Sequence, residues 1–183
     1  MDKSEIRRSF RKIRDNANRV SKDAIIWNNL RVLEVYAKAS QVYTYLNFGS
    51  EVSTLPIFAD AKLTGKQLAV PRIISKSKME FVWYEDPDRL KPNKLGIIEP
   101  VGGEIAIPSE RSIFIVPGLV FSKTMHRIGY GGGFYDAYFS KINSMPAVVK
   151  IGLCYDFQIV KHLPIEPWDV KMDYIVTDER VIK

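Results

Sequence analysis

A glycine-rich loop between residues 127 and 136 has the residue types and spacing that most directly indicate chemistry. Four of five consecutive residues are glycine, at positions 129 and 131–133, with Arg127 before them and Asp136 after them. Because glycine lacks a Cβ, consecutive backbone N–H groups can come close to an anion and bind it. Arg127 adds a fixed positive charge, and Asp136 is a candidate magnesium ligand. The loop therefore predicts a phosphate site.

The loop alone leaves a second interpretation open, because a flexible surface turn has the same composition. No Gly-Lys-Ser/Thr follows the glycines, so the loop is not a Walker A motif. The G-x-G-x-x-G spacing of a dinucleotide fold is absent as well. A helix predicted to begin at about Phe134 favours phosphate binding, since its positive end would point at the loop.

Length and composition favour one globular domain spanning residues 1–183. The chain is 46% hydrophobic and 26% charged, which is ordinary for such a domain. No apolar run reaches the length of a membrane helix, and the N-terminus lacks the apolar region of a secretory signal, so we expect no membrane partner. The single cysteine, Cys154, excludes an intramolecular disulfide and fits a cytoplasmic location.

Positive charge is concentrated at the N-terminus. The net charge is +6, and the first twenty residues hold seven Lys or Arg against three Asp or Glu. A helix is predicted over residues 3–17, with a buried stripe formed by Ile6, Phe10, Ile13 and Ala17. Lys3, Arg7 and Arg14 lie beside that stripe, and from this position Lys3 and Arg7 are candidates to reach a neighbouring cleft. A solvated face or a nucleic-acid contact would explain the same charges.

Helices and strands alternate along most of the chain. This alternation predicts an α/β fold with three αβα layers and a largely parallel central sheet, similar to a Rossmann fold. The most apolar strand, at 112–116, is expected to be central, and the long connection at 85–110 to have a functional or lid role. The other predicted elements are a helix over 22–38 capped by Ser21, helices over 54–64 and 134–141, and strands at 42–46, 67–70, 79–84, 148–153 and 173–176.

Six segments, spread nearly from end to end and in the same order, resemble the 5-formyltetrahydrofolate cyclo-ligase family, also called methenyltetrahydrofolate synthetase. They are Lys-x-x-Ile-Arg at 3–7, Glu-Val-Ser-Thr at 51–54, Gly-Ile-x-Glu-Pro at 96–100, Pro-Gly-Leu-x-Phe at 117–121, the loop at 127–136, and Asp-x-x-x-Asp-x-Ile-x-Thr at 169–177. The chain departs from the family pattern at Ser122, Met125, Phe134 and Trp168.

The resemblance implies a ligase that closes 5-formyltetrahydrofolate to 5,10-methenyltetrahydrofolate, with ATP as co-substrate and Mg²⁺ as cofactor. It implies catalytic roles for Arg127, Tyr135 and Asp136, and magnesium ligation by Asp136 and Asp169. The ATP-binding residues it implies are Lys3, Ser4, Glu5, Ile6, Arg7, Arg127, Ile128, Gly129, Tyr130, Gly131, Gly132, Gly133, Phe134 and Tyr135. On the folate side it implies Leu46, Glu51, Tyr130, Gly131, Gly132, Gly133 and Phe134.

A folate also needs flat apolar walls, for which Met79, Trp83 and Tyr84 of one predicted strand are candidates. Glu51 can accept hydrogen bonds from pterin N–H groups. We expect a monomer with small-molecule substrates and no nucleic-acid partner. Three alternatives stay open: a diverged paralogue that only binds nucleotide, a nucleic-acid-binding module that uses the basic helix, and an α/β protein for phosphosugars or coenzyme A.

Overall fold

The computed structural model of the protein describes residues 2–76, 78–85, 87–93, 96–142 and 148–183. Residues 86, 94 and 95 of the predicted 85–110 connection lie outside these ranges. The α-helices within them are α1 (Lys3–Asn16), α2 (Val20–Arg31), α3 (Glu34–Ala37), α4 (Leu55–Thr64) and α5 (Phe134–Lys141). The strands are β1 (Gln41–Tyr43), β2 (Gln67–Ser75), β3 (Lys78–Trp83), β4 (Leu90–Pro92), β5 (Ile98–Pro100), β6 (Ser112–Val116), β7 (Val120–Ser122), β8 (Arg127–Ile128), β9 (Val149–Leu153), β10 (Ile159–Val160), β11 (Tyr174–Val176) and β12 (Val181–Ile182).

Seven of these strands form the central sheet, in the order β12-β11-β9-β6-β1-β2-β3. The four inner pairings are parallel, and only the pairings of β12 and β3 at the two edges are antiparallel. Strands β7, β8 and β10 form a second, three-stranded sheet, and β4 pairs with β5. The prediction of an α/β fold with a largely parallel sheet is confirmed.

Strand β6 shows how the sheet separates two apolar cores. Ile113 and Ile115 pack with α2, α3 and α4 on one face, whereas Phe114 and Val116 pack with α5 on the other. Alternate side chains of a strand point to opposite faces, so a wholly apolar strand must be covered on both sides. Burial of each large side chain contributes about 1.5–3 kcal/mol, which favours this three-layer arrangement.

Helix α1 lies apart from both cores, against the second sheet. Its Ile6 packs with Val120 and Ile128, and an Asp2–Glu5 capping box begins the helix at Lys3. The predicted stripe is wrong at its C-terminal end: Ile13 is 47% exposed, whereas Arg14 is only 4% exposed. The three-stranded sheet that receives α1 contains two strands of two residues and one of three, which are too short to be recognised from periodicity.

Three other predicted elements differ from the structure, and the first is the strand predicted at 42–46, which is β1 and ends at Tyr43. The helix predicted at 22–38 is two helices, since α2 ends at Arg31 and α3 begins at Glu34, and Arg19 rather than Ser21 is the N-cap. Strand β2 continues through Pro71 to Ser75, although the proline was expected to end it. Proline is tolerated there because β2 pairs with β1 only over residues 67–69, and from Pro71 onward its ladder runs with β3 alone. Within the described residues, no helix is both long and apolar enough to cross a bilayer.

Candidate functional site

The glycine-rich loop joins β8 to α5 and forms the floor of a cavity of about 570 Å³, here called the glycine cleft. Gly131 (φ 104°) and Gly133 (φ 64°) have left-handed backbones that strongly favour glycine. A Cβ on Gly132 would lie only 2.5 Å from the Phe134 ring. Gly133 is also the N-cap residue of α5, so the unpaired N–H groups of the first helical turn face the cleft. The loop therefore combines close backbone approach with the positive end of a helix. The cleft is lined by Lys3, Arg7, Pro117, Arg127, Ile128, Gly129, Tyr130, Gly131, Gly132, Gly133, Phe134, Tyr135, Asp136, Ala137, Ser140, Glu166, Trp168 and Asp169.

Helix α1 brings two cations to this cleft from the opposite end of the chain. Lys3 Nζ donates to Asp169 Oδ2 at 2.7 Å, and Arg7 Nε donates to the carbonyl of Gly129 at 3.0 Å. Lys3 and Arg7 are four residues apart and so lie on one face of the helix. Ser4 and Glu5 instead belong to the exposed helix cap, and Ile6 points into the apolar contact with β7 and β8. Of the five N-terminal residues implied for ATP binding, the structure brings Lys3 and Arg7 to the cleft.

Arg127 and Asp136 form a paired wall of the glycine cleft. Arg127 Nη1 and Nη2 donate to the two carboxylate oxygens of Asp136 at 3.1 and 3.2 Å. The Asp136 carboxylate also accepts a bond from the Val170 amide at 3.0 Å, and Arg127 donates to the Val170 carbonyl at 3.3 Å. Arg127 is almost completely buried, and its guanidinium lies over the Tyr135 ring. Arg127 and Asp136 are thus paired with each other, whereas the sequence prediction treats both side chains as free to bind ligands.

Two carboxylates on this cleft are candidate metal ligands. Asp136 and Asp169 both line it, as does Glu166, whose amide donates to Asp169 at 2.8 Å. Within the described residues, no group of three or more His, Cys, Asp or Glu side chains lies close enough to hold a metal ion by itself. Mg²⁺ usually takes one or two carboxylates and completes its shell with phosphate oxygens and water. Hard oxygen donors beside the glycine-rich loop fit that requirement.

A second cavity of about 580 Å³, here called the apolar cleft, lies on the other side of the loop. Most of its exposed lining is apolar, and Glu51 makes two hydrogen bonds in its wall. Glu51 Oε1 accepts a hydrogen bond from the Tyr130 hydroxyl at 2.5 Å, and Oε2 accepts one from the Phe48 amide at 2.8 Å. Burial raises the pKa of Glu51, against the opposing effect of the bond from Tyr130. The cleft is lined by Arg11, Arg14, Asp15, Tyr45, Leu46, Phe48, Gly49, Ser50, Glu51, Pro71, Ile73, Met79, Ile97, Ile98, Glu99, Pro117, Tyr130, Phe134 and Tyr135.

One wall is common to the two clefts. Pro117, Tyr130, Phe134 and Tyr135 line both cavities, so a ligand in one cleft lies only a side chain away from a ligand in the other. The Tyr135 hydroxyl is buried and has no hydrogen-bond partner among the described residues. Burial raises the pKa of this hydroxyl well above its ordinary value. Tyr135 therefore offers a neutral O–H donor at the junction of the clefts.

The structure brings together some of the residues expected around a folate and not others. Leu46, Glu51 and Met79 line the apolar cleft with Tyr130 and Phe134. Trp83 packs against Tyr43 inside the core, and Tyr84 makes an edge contact with Phe58 on the opposite face of the sheet. Gly131, Gly132 and Gly133 face the glycine cleft alone.

The sequence prediction gives no role to several residues that form the walls. Pro71 and Ile73 come from the unpredicted continuation of β2, and Ile97 and Ile98 from the segment at 96–100. The segment at 96–100 is the Gly-Ile-x-Glu-Pro motif described above, so the sequence did contain a signal for these two residues. Arg14 could also have been found, because Lys3, Arg7, Arg11 and Arg14 repeat at helical spacing along one face of α1.

Comparison with known proteins gives a consistent result. Residues 1–178 match the model of the 5-formyltetrahydrofolate cyclo-ligase family. The chain is 29% identical over 178 residues to the 5-formyltetrahydrofolate cyclo-ligase of Haemophilus influenzae, covering 93% of this chain and 94% of that protein. It is 30% identical over 147 residues to the Escherichia coli K12 enzyme of the same name, covering 78% of this chain and 80% of that protein.

A solved structure agrees with the sequence matches. The NMR structure of Aquifex aeolicus 5,10-methenyltetrahydrofolate synthetase superposes on this chain with a TM-score of 0.82 at 29% sequence identity. The match covers 100% of this chain and 93% of the Aquifex chain. The two clefts therefore lie in a fold that the Aquifex enzyme shares.

Proposed function

Because the chain belongs to the 5-formyltetrahydrofolate cyclo-ligase family, we propose that it closes 5-formyltetrahydrofolate to 5,10-methenyltetrahydrofolate at the expense of ATP, releasing ADP and phosphate. One observation supports this most strongly: a single glycine loop separates a cationic cleft from an apolar cleft, and its Tyr130, Phe134 and Tyr135 line both. A reaction that joins a nucleotide phosphate to a flat heterocycle needs two such sites with a common boundary.

ATP binds in the glycine cleft under this proposal, with its phosphates against the loop and the first turn of α5. The loop amides and the helix dipole attract the phosphates, and Lys3 and Arg7 neutralise their charge. Arg127 is paired with Asp136. It therefore holds that carboxylate in place and presents its positive charge to the transferred phosphoryl group. This is the positioning and charge neutralisation that phosphoryl transfer requires.

Magnesium is the proposed cofactor, held by Asp136 and Asp169 together with the phosphates. Bound Mg²⁺ would neutralise charge on the transferred phosphoryl group. Lys3 now occupies Asp169 Oδ2, so Lys3 is positioned to move from the carboxylate to a phosphate when the ion and the nucleotide bind. Asp136 remains oriented by Arg127 and by the Val170 amide.

The folate binds in the apolar cleft under this proposal. Glu51 accepts hydrogen bonds from pterin N–H groups, and Leu46, Met79 and Phe134 contact the ring faces. We leave Trp83 and Tyr84 out of this site, because both side chains pack into the two cores. An analogue without the pterin N–H groups would leave the Glu51 carboxylate buried and unpaired, so the site would reject it.

The chemistry takes place where the clefts meet. The formyl oxygen on N5 attacks the γ-phosphorus of ATP, the bond to the β-phosphate oxygen breaks, and ADP leaves. N10 then attacks the activated formyl carbon and loses its proton, and phosphate leaves with the former formyl oxygen. The Tyr135 hydroxyl can donate to the oxygen that carries the developing charge, because it is neutral and without a protein partner in the described residues.

The direct test is an assay with 5-formyltetrahydrofolate, ATP and Mg²⁺, followed by the absorbance of the methenyl product. We expect product with all three and none when ATP or Mg²⁺ is omitted. Absence of product at high enzyme concentration, with nucleotide binding intact, would leave the diverged paralogue as the better description.

We also propose that residues 1–183 form one domain that acts as a cytoplasmic monomer on small molecules. The family match over residues 1–178 supports the single domain. The inward placement of Lys3, Arg7 and Arg14 reduces the charge that α1 offers to a nucleic acid.

A further inference from the structure

Arg14, in the last turn of α1, is a buried cation that none of the roles above uses. Only 4% of the residue is exposed. Its Nε donates to Ser50 Oγ at 2.9 Å, its Nη2 donates to the Tyr130 hydroxyl oxygen at 2.7 Å, and its Nη1 lies 3.4 Å from the Gly118 carbonyl. Ser50 in turn donates to Asp15. A guanidinium this deeply buried requires partners on every side, and these partners fix its orientation.

The bond from Arg14 determines what Tyr130 can do. Because the guanidinium donates to the phenol oxygen, the phenol proton is directed to its other neighbour, Glu51 Oε1, at 2.5 Å. The second oxygen of Glu51 accepts from the Phe48 amide. Both carboxylate oxygens of Glu51 therefore accept a hydrogen bond. The bond from Tyr130 depends on Arg14, which lies 37 residues earlier in the chain.

We propose that Arg14 is a positioning residue for folate recognition: through the Tyr130 hydroxyl it orients the Glu51 carboxylate and stabilises its anionic form. The proposal rests on the proposed function, since it concerns the same pterin-binding carboxylate. Arg14 lies at the edge of the apolar cleft, where its guanidinium is engaged by Ser50, Tyr130 and Gly118. It acts on the folate through two hydrogen bonds in series.

The charge of Arg14 is well placed for this role. Among the described residues, four groups interact with Glu51, namely Arg14 from α1, Tyr130 from the glycine loop, Tyr135 from α5 and Tyr45 after β1, and a second cation, Arg11, lies over the Tyr130 ring at 5.8 Å. Three of these four are neutral phenols, whereas Arg14 is a cation. Burial raises the pKa of Glu51, and the positive charge of Arg14 and the bond from Tyr130 both oppose that rise. Loss of either influence should make the carboxylate protonate at a higher pH.

The test compares steady-state kinetics of Arg14→Met, Arg14→Lys and Tyr130→Phe with the wild-type enzyme, from pH 5 to pH 8. Tyr130→Phe keeps Arg14 and its bond to Ser50, so it remains informative even if Arg14→Met does not fold. We expect KM for 5-formyltetrahydrofolate to rise about tenfold in Arg14→Met and Tyr130→Phe, the effect of one charge-assisted hydrogen bond. KM for ATP and kcat should change less than about threefold, as is typical when ground-state binding is lost.

The pH profile separates positioning from a merely structural role. The acid limb of kcat/KM for the folate should move to higher pH in Arg14→Met and Tyr130→Phe. Arg14→Lys keeps the charge but lacks the fork of donors, so it should return the acid limb toward wild type while KM stays raised. Arg8→Met removes an exposed cation from the same helix and is the matched control, with kinetics expected to equal wild type.

The outcomes distinguish the two hypotheses. A wild-type enzyme without activity would contradict the proposed function. An active wild-type enzyme with unchanged folate KM and an unchanged acid limb in folded Tyr130→Phe would overturn the role of Arg14 alone. Equal rises in folate KM and ATP KM in that variant would also overturn it, because they would indicate a general disturbance of the loop.

Discussion

The two clefts of this protein have nearly the same volume, about 570 and 580 Å³, yet they are built in opposite ways. The glycine cleft takes most of its floor from one contiguous segment, residues 127–137, and adds cations from α1. The apolar cleft takes its walls from six or more separate segments, and Tyr130 of the glycine loop is bonded to Glu51 in one of them. A phosphate site can rely on backbone amides that follow one another in the chain, whereas a site for a flat ring needs surfaces on several sides.

The paired wall of the glycine cleft, formed by Arg127 and Asp136, should be the most sensitive part of the molecule. We expect Arg127→Ala to lower kcat roughly 10²–10³-fold, since it removes a positioned charge next to the transferred phosphoryl group. It should also cost about 3–5 kcal/mol of unfolding free energy, because Asp136 loses its buried partner. Steady-state kinetics and denaturant unfolding measure the two effects. A folded variant with wild-type kcat would contradict the role given to Arg127.

The next prediction tests whether the clefts can be weakened separately. Lys3→Met should raise KM for ATP about tenfold and leave KM for 5-formyltetrahydrofolate unchanged, because Lys3 lines only the glycine cleft. This result would be the reverse of the one expected for Tyr130→Phe. Lys12→Met, which removes an exposed cation from the same helix, is the control. A rise in both KM values for Lys3→Met would show that the clefts do not act separately.

A smaller effect is expected at the junction itself. Tyr135→Phe removes the buried hydroxyl but keeps the ring that packs against Phe81 and Phe139. We expect kcat to fall about fivefold to tenfold with both KM values nearly unchanged, as for one neutral hydrogen bond made in the transition state. Thermal stability should not fall, since the hydroxyl has no partner within the described part of the chain. A Tyr135→Phe variant with wild-type kcat would show that the Tyr135 hydroxyl has no role in the chemistry.

The smallest effect is spectroscopic and uses Trp168 as a reporter of binding in the glycine cleft. Trp168 lines this cleft and is 64% exposed, whereas Trp27 and Trp83 pack against the cores. Because Trp168 is exposed on the wall of this cleft, we expect the nucleoside of bound ATP to contact it and to quench its fluorescence. Tripolyphosphate, which has no nucleoside, should quench little. Trp168→Phe should abolish the quenching by ATP, and Trp27→Phe should retain it.

Local patterns in the sequence were sufficient for the elements that depend on neighbours in the chain. Strand β6 lies at the predicted residues 112–116 because its run of apolar residues requires burial on both faces. Helix α5 has the predicted bounds, and Gly133 of the preceding loop is its N-cap. The glycine loop and the cations Lys3 and Arg7 were identified because each belongs to a short motif.

Other features were decided by contacts between distant segments. Arg14 is buried while Ile13 is exposed, because α1 packs on a small sheet whose strands are too short to show a pattern. Pro71 is tolerated within β2 because the neighbouring strand β1 ends before it. Since β2 continues past Pro71, Ile73 lines the apolar cleft. By residue type Trp83 and Tyr84 suit a folate site, but in the folded sheet their side chains pack against the two cores.

The sequence by itself therefore determined the layered α/β class, the position of the glycine-rich loop and the family. Only the tertiary structure decided that Arg127 and Asp136 pair with each other, that Tyr130 and Tyr135 separate two clefts, and which side chains form the apolar walls. The physical reason is the range of the interactions: backbone conformation and helical periodicity act over a few residues, whereas a cleft wall or a buried ion pair depends on packing between segments that may be a hundred residues apart.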